Sequence, residues 1–173
     1  MRKDEIIDYI QKAFSEYPDH LKNGVIDEDN IKYCHDAVTL FSGKSWGELM
    51  ASDLYHSEDA ITCITKSAFS YYIAAYLKLF IENYYEADAL VDTILNMLTP
   101  PLRHGIPSAT WILKNLGCLS CNKKAAISFT FQYLYNEYND QNSEKALNIY
   151  WGQYLDESLL INNVQDSKNK CKS

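Results

Sequence analysis

An all-α fold is what this sequence predicts, and three observations predict it. Apolar residues recur at helical spacing along nearly the whole chain. Capping serines and threonines, together with prolines and glycines, stand where helices should start and stop. The stretch from about residue 66 to 84 is apolar on almost every side, as a helix surrounded by other helices must be. The expected architecture is a single-domain multi-helix bundle over residues 1–164, built around that tyrosine-rich helix. A polar, disordered tail at 165–173 is expected to follow.

Each element has its own warrant. Ile6, Ile7, Ile10, Ala13 and Phe14 share one face of a first helix at 4–16, which Pro18 stops. Asp27-Glu28-Asp29 opens a second helix, because acids in a first turn complement the helix dipole. Its apolar face is Ile31, Cys34, Ala37, Val38 and Phe41, and Ser42-Gly43 ends it. Ser45 and Glu48 have capping-box spacing, so a short helix at 46–53 is expected, anchored by Trp46 and Leu49. Ser52 to Asp59 reads as a loop, and the β-branched run Ile61 to Ile64 as an extended piece without a partner strand.

Thr65 or Ser67 then caps the central helix, whose stripe is Phe69, Tyr72, Ile73, Tyr76, Leu77 and Phe80. A helix at 86–98 carries Leu90, Val91, Ile94, Leu95 and Leu98 inward and ends at Pro100-Pro101. Residues 99–107 hold three of the four prolines and read as a loop. Ser108 caps a helix to Leu116 with Trp111, Ile112 and Leu113 inward, and Gly117 stops it. Ser120 caps a helix at 121–138. Ser143 starts the last one, with Ala146, Leu147, Tyr150, Trp151 and Tyr154 at helical spacing. No internal repeat and no strand pair is expected.

Composition narrows the function classes. Hydrophobic residues make up 47% of the chain and charged residues 23%, which excludes disorder throughout. Tyrosine is unusually abundant, with 14 copies against 6 Phe and 3 Trp. Its apolar body and polar tip suit half-buried helix faces and binding surfaces alike. The net charge is −7, and residues 1–60 carry all of it, with 13 acids against 6 bases. Residues 101–173 are slightly basic, with 6 acids against 8 bases. An acidic surface disfavours nucleic acid and anionic membrane and favours a basic protein partner. The longest apolar run, Ala68 to Phe80, is broken by Ser70 and Lys78 and falls short of the ~20 residues of a bilayer span. Five scattered cysteines, with no secretory signal before the first helix, point to reduced thiols in a cytoplasm.

Three segments carry a resemblance: Phe41-Ser-Gly-Lys-Ser-Trp46, Ile64-Thr-Lys-Ser-Ala-Phe69-Ser-Tyr-Tyr72 and Ala146-Leu-Asn-Ile-Tyr-Trp151. Together they resemble the small bacterial family of unknown function DUF6714. Its members look like F-x-G-x-x-W, then a phrase near L-T-P-E-A-F-R-Y-Y-L-P-A-F-L, then A-L-x-x-Y-W. The match covers about residues 6–151. The two prolines of the phrase are Lys66 and Ala74 here, so the central helix should be less kinked. The resemblance implies bacterial origin and a one-domain chain, and it brings no catalytic residues.

The chemistry-bearing residues form no recognised catalytic, cofactor or metal constellation. Cys118-Leu-Ser-Cys121 is a CxxC, which before a helix could exchange thiols or supply half of a zinc site. It lacks the usual strand–helix context, and Cys34, His35 and Cys63 stand at no ligand spacing to it, so small buried thiols are the plainer reading. His20, His35, His56 and His104 are scattered. The candidate partner-binding residues are Asp27, Glu28, Asp29 and Asp36 with Glu58 and Asp59, although a solvated face is the ordinary meaning of such charges. The function expected is a non-enzymatic bacterial interaction protein without cofactor, specifically an immunity protein that covers a basic toxin. The alternatives are a thiol- or metal-dependent enzyme using Cys118 and Cys121, and a helical adaptor or regulator.

Overall fold

The computed structural model describes residues 1–19, 21, 24–26 and 34–155. The expected second-helix residues 27–33 and the tail 165–173 lie outside these. The described residues are mostly helical, as expected, with one two-stranded sheet. They group into two compact units, residues 14–94 and residues 1–13 with 95 onward.

The unit 14–94 is organised by its longest helix. In chain order it contains α2 (His35–Phe41), a 3₁₀ turn (Trp46–Glu48), α3 (Ala51–Leu54), α4 (Glu58–Cys63), α5 (Lys66–Glu82) and α6 (Tyr84–Ala87). α5 is the expected central helix. The Thr65 hydroxyl caps it by accepting from the Ala68 N–H at 3.1 Å. Ser70 to Leu77 are buried without a break, so neighbours cover the helix all round. Lys78 reaches out of this face and pairs with Glu82 one turn on, at 2.7 Å.

Burying consecutive tyrosines obliges their hydroxyls to find partners inside. The Tyr72 hydroxyl shares its one proton between two carbonyls, Phe41 at 2.7 Å and Lys44 at 2.8 Å. The Tyr71 hydroxyl accepts the Trp46 N–H at 3.4 Å. The Ser57 hydroxyl bonds to the Leu54 carbonyl at 2.6 Å and to the Tyr76 hydroxyl at 2.8 Å. The Trp46 indole N–H donates to the Phe14 carbonyl at 2.9 Å. Three phenols and one indole thus fasten the irregular chain between Phe41 and Ser57. Phe41, Trp46 and Tyr72 are among these fastening points.

Several expectations for this unit are corrected. The helix expected at 46–53 is two pieces, because Leu49 and Met50 adopt extended backbone between the 3₁₀ turn and α3. The loop expected at Ser52 to Asp59 holds most of α3 and the start of α4. The extended piece expected at Ile61 to Ile64 is the last half of α4 and its C-cap. Glu58 and Asp59 complement the helix dipole there, and Thr62 bonds back to the Asp59 carbonyl at 2.8 Å, so these local interactions outweigh β-branched propensity. The central helix ends at Glu82, where Asn83 leaves helical backbone.

The other unit contains α1 (Lys3–Ala13), the strands β1 (Leu102–Arg103) and β2 (Ile106–Pro107), α8 (Ala109–Leu116), α9 (Cys121–Tyr138), α10 (Gln141–Ile149) and a final 3₁₀ turn (Trp151–Tyr154). α7 (Ala89–Leu98) carries the chain into it. α1 and α10 both pack on α9. Ala125 to Phe131 are all buried, and the polar members are satisfied within the unit: Ser128 donates to Lys124 and Trp151 carbonyls, Thr130 to the Ala126 carbonyl. Trp151 is fully buried, edge-on to Phe131, and its indole donates to the Leu98 carbonyl at 3.1 Å. Tyr9 of α1 meets Phe129 edge-on at 5.5 Å.

Here too the structure corrects the sequence reading. A strand pair exists: β1 and β2 are antiparallel, with Leu102 opposite Pro107 and Arg103 opposite Ile106. Their two-residue turn, His104-Gly105, has positive φ at both positions, the hairpin turn whose twist matches that of the strands. Leu113, expected inward, is 78% exposed. α10 starts two residues before Ser143, because Asp140 is the cap and accepts the Ser143 N–H. Gly117 does end α8, and a side chain there would collide with the Leu113 carbonyl.

Burial is the first cause that holds the Tyr71, Tyr72 and Tyr76 phenols above their ordinary range. Phenols are neutral when protonated, and unfolding returns them to a pKa near 10. Their contribution is therefore complete below about pH 10 and is lost as pH rises through the folded values. Absorbance at 295 nm should rise in two stages on alkaline titration, the second coinciding with loss of helical circular dichroism. A single stage with the fold intact would contradict this. Tyr72→Phe strips two inward carbonyls of their donor and should cost about 1–3 kcal/mol in urea denaturation.

Candidate protein-binding surface

The acids singled out in the sequence divide between two short helices. Asp36 lies in the first turn of α2 and is exposed. Glu58 and Asp59 lie in the first turn of α4, Glu58 half-buried and Asp59 exposed. Asp27, Glu28 and Asp29 lie outside the described residues. First-turn carboxylates interact favourably with the helix dipole, which is a sufficient structural reason for all three described acids.

What brings the two helices together is not in the acid pattern. α2 and α4 pack on one another, and a disulfide joins Cys34, just before α2, to Cys63, the last residue of α4. The Cα atoms are 5.8 Å apart. Asp36 therefore stands two residues from the bridge on one helix. Glu58 and Asp59 stand four to five residues from it on the other, or about 6–8 Å along the axis at 1.5 Å per residue. The acids form two groups flanking a covalently tied helix pair.

The scaffold beneath is rigidly bonded. Ser57, buried just ahead of Glu58, ties the start of α4 to Tyr76 on α5. Burial raises the Tyr76 phenol, the Ser57 hydrogen bond offsets part of this, and the Glu58 charge adds to it. At the junction below α4, the Thr65 N–H donates to the Val25 carbonyl at 2.9 Å.

The cysteines correct the expectation of reduced thiols. Cys34 and Cys63 are paired, and Cys121 is also disulfide-bonded. Cys118 is a free, exposed thiol, so the CxxC is not a closed dithiol pair. Sequence reasoning missed the Cys34–Cys63 bond because 29 residues separate the two and spacing alone leaves connectivity open. Among the described residues no group of three or more His, Cys, Asp and Glu side chains could hold a metal ion. Among them, too, no helix is long and apolar enough to cross a membrane.

No protein-family model, curated protein or solved structure matches the chain. The site's own chemistry is carboxylates displayed on a cross-linked helix pair, over buried Trp46, Ser57, Tyr72 and Tyr76 whose polar atoms are bonded internally.

Closing a loop of this separation constrains the unfolded chain by roughly 3.5 kcal/mol. Iodoacetamide on the native, unreduced chain should label Cys118 and leave Cys34, Cys63 and Cys121 unmodified in the peptide mass map. Labelling of Cys34 or Cys63 without reductant would remove the bridge from the description.

Proposed function

We propose that this chain is a non-enzymatic bacterial interaction protein that binds a basic protein partner through the acids of its amino-terminal third. The specific reading is an immunity protein that covers the active surface of a co-encoded toxin. The observation that carries it is the charge layout: 13 acids against 6 bases in residues 1–60, with Asp36, Glu58 and Asp59 displayed on helices fixed to one another. A pre-organised charged surface speeds encounter with an oppositely charged partner and needs little ordering on binding. The engagement of Tyr71, Tyr72, Tyr76, Trp46 and Trp151 with internal groups supports the same reading. It leaves these aromatics to the scaffold and recognition to the acidic exterior.

The proposal places the chain in the bacterial cytoplasm, where an immunity protein meets a toxin made in the same cell. In that compartment low-molecular-weight thiols set the state of Cys34 and Cys63.

Binding to the protein encoded beside this one should weaken as salt rises, because the attraction is screened over about 10 Å at 0.1 M. The triple variant Asp36→Lys, Glu58→Lys, Asp59→Lys should slow association at low salt by about ten-fold or more, read by surface plasmon resonance. Association at the wild-type rate would sink the assignment of these residues. A deletion strain fully resistant to the neighbouring gene product would sink the immunity reading.

A further inference from the structure

We propose that the Cys34–Cys63 disulfide is a redox-operated clip whose reduction releases the amino-terminal end of α2, and Asp36 with it, from α4. The consequence for binding rests on the acidic surface and cytoplasmic residence proposed above. The release itself rests on how the two ends of α2 are held.

Those ends are held by different chemistry. At the far end, Phe41 is buried against Tyr72, with ring centroids 4.8 Å apart, and its carbonyl takes the Tyr72 hydroxyl. No thiol reaction touches that anchor. At the near end, Cys34 occupies the N-cap position but supplies no side-chain cap. The first helical bond there is Val38 N–H to the Cys34 carbonyl at 3.2 Å. α2 has seven residues and α4 has six, both far below the ~12–15 that an isolated helix needs in water. The bridge thus does at the amino-terminal end what a cap and a longer helix would otherwise do. The α4 side stays in place without it, because Ser57 holds Tyr76 and Thr65 holds Val25.

Access gives the reaction a direction. Cys63 is partly exposed, whereas Cys34 is 9% exposed. A thiolate of glutathione type attacks Cys63 Sγ, forming a mixed disulfide and expelling Cys34 as a thiolate that takes a proton. A second thiolate attacks the sulfur of the first, releasing Cys63 and a small symmetrical disulfide. Two electrons and two protons enter the protein, and two small thiols are oxidised. The reverse exchange closes the clip. Disulfides of cytoplasmic proteins are characteristically redox-sensing or catalytic, and this one lies between the two carboxylate groups of the candidate surface.

The test uses the full chain in oxidised form, after dithiothreitol, and as the unreduced double variant C34S/C63S. The variant isolates this bridge, since reductant also opens the Cys121 disulfide. Hydrogen exchange should speed up by at least about ten-fold for α2 amides in the reduced and variant forms, while α5 amides stay as they were. Equal α2 exchange in all three forms overturns the clip. Faster exchange throughout α5, or a variant that does not fold, also overturns it, because the bridge would then be a staple of the whole unit. Poly-L-lysine at low salt serves as the basic probe and should bind the oxidised chain several-fold more tightly than the variant. Faster α2 exchange with equal poly-L-lysine binding would uphold the clip and remove the acidic-surface reading.

Discussion

The carbonyls of Phe41 and Lys44 both meet the same donor, the hydroxyl of Tyr72. A helix as apolar as α5 has few ways to hold irregular chain against itself, because packing alone leaves the backbone groups of that chain unpaired. Tyrosine resolves the conflict by combining a large apolar body with one polar atom at its tip. Tyr71, Tyr72 and Tyr76 apply this at successive points, so the segment from Phe41 to Ser57, with only short helical turns, can still lie against a buried face. The position of α4, and therefore of Glu58 and Asp59, follows from the Ser57–Tyr76 member of that series.

Much of the fold was legible because its strongest signals are local. Thr65, Ser108 and Ser120 each accept a backbone N–H at the start of the helix they were expected to cap. The period of α5 and α9 needed no tertiary information. The failures occur where a longer-range or subtler effect decides. Ile61 and Ile64 carry strand propensity, but acids in the first turn and burial of Ile61 make that stretch helical. His104-Gly105 is a weaker hairpin signal than Asn-Gly, so a strand pair of two residues each passed unread. Leu113 looks like core by type, yet the inward face of α8 passes through Leu116 instead.

The geometry of the candidate site was not legible. Asp36 was expected inside a helix opening at Asp27, and Glu58 and Asp59 on a loop, whereas all three stand in first turns and two of the three are exposed. Nothing in their spacing shows that α2 and α4 are neighbours. That fact is held by two cysteines far apart in the chain, and a sequence supplies only their number. The same chemistry that makes the pairing unreadable makes it conditional, since a covalent bond between sulfurs depends on the thiol balance of its surroundings as hydrophobic burial does not.

The two units also differ in how their residues are ordered along the chain. Residues 14–94 are contiguous, whereas α1 belongs with α9, which begins more than a hundred residues later. A ribosome adds roughly 5–20 residues per second, so α1 is outside for several seconds before α9 exists. During that interval Ile6, Tyr9 and Ile10 have no native cover, and the middle of the chain can complete its own core first. The amino-terminal helix is thus the first element made and among the last to be placed. Its apolar face stays without its native cover until α9 has been made.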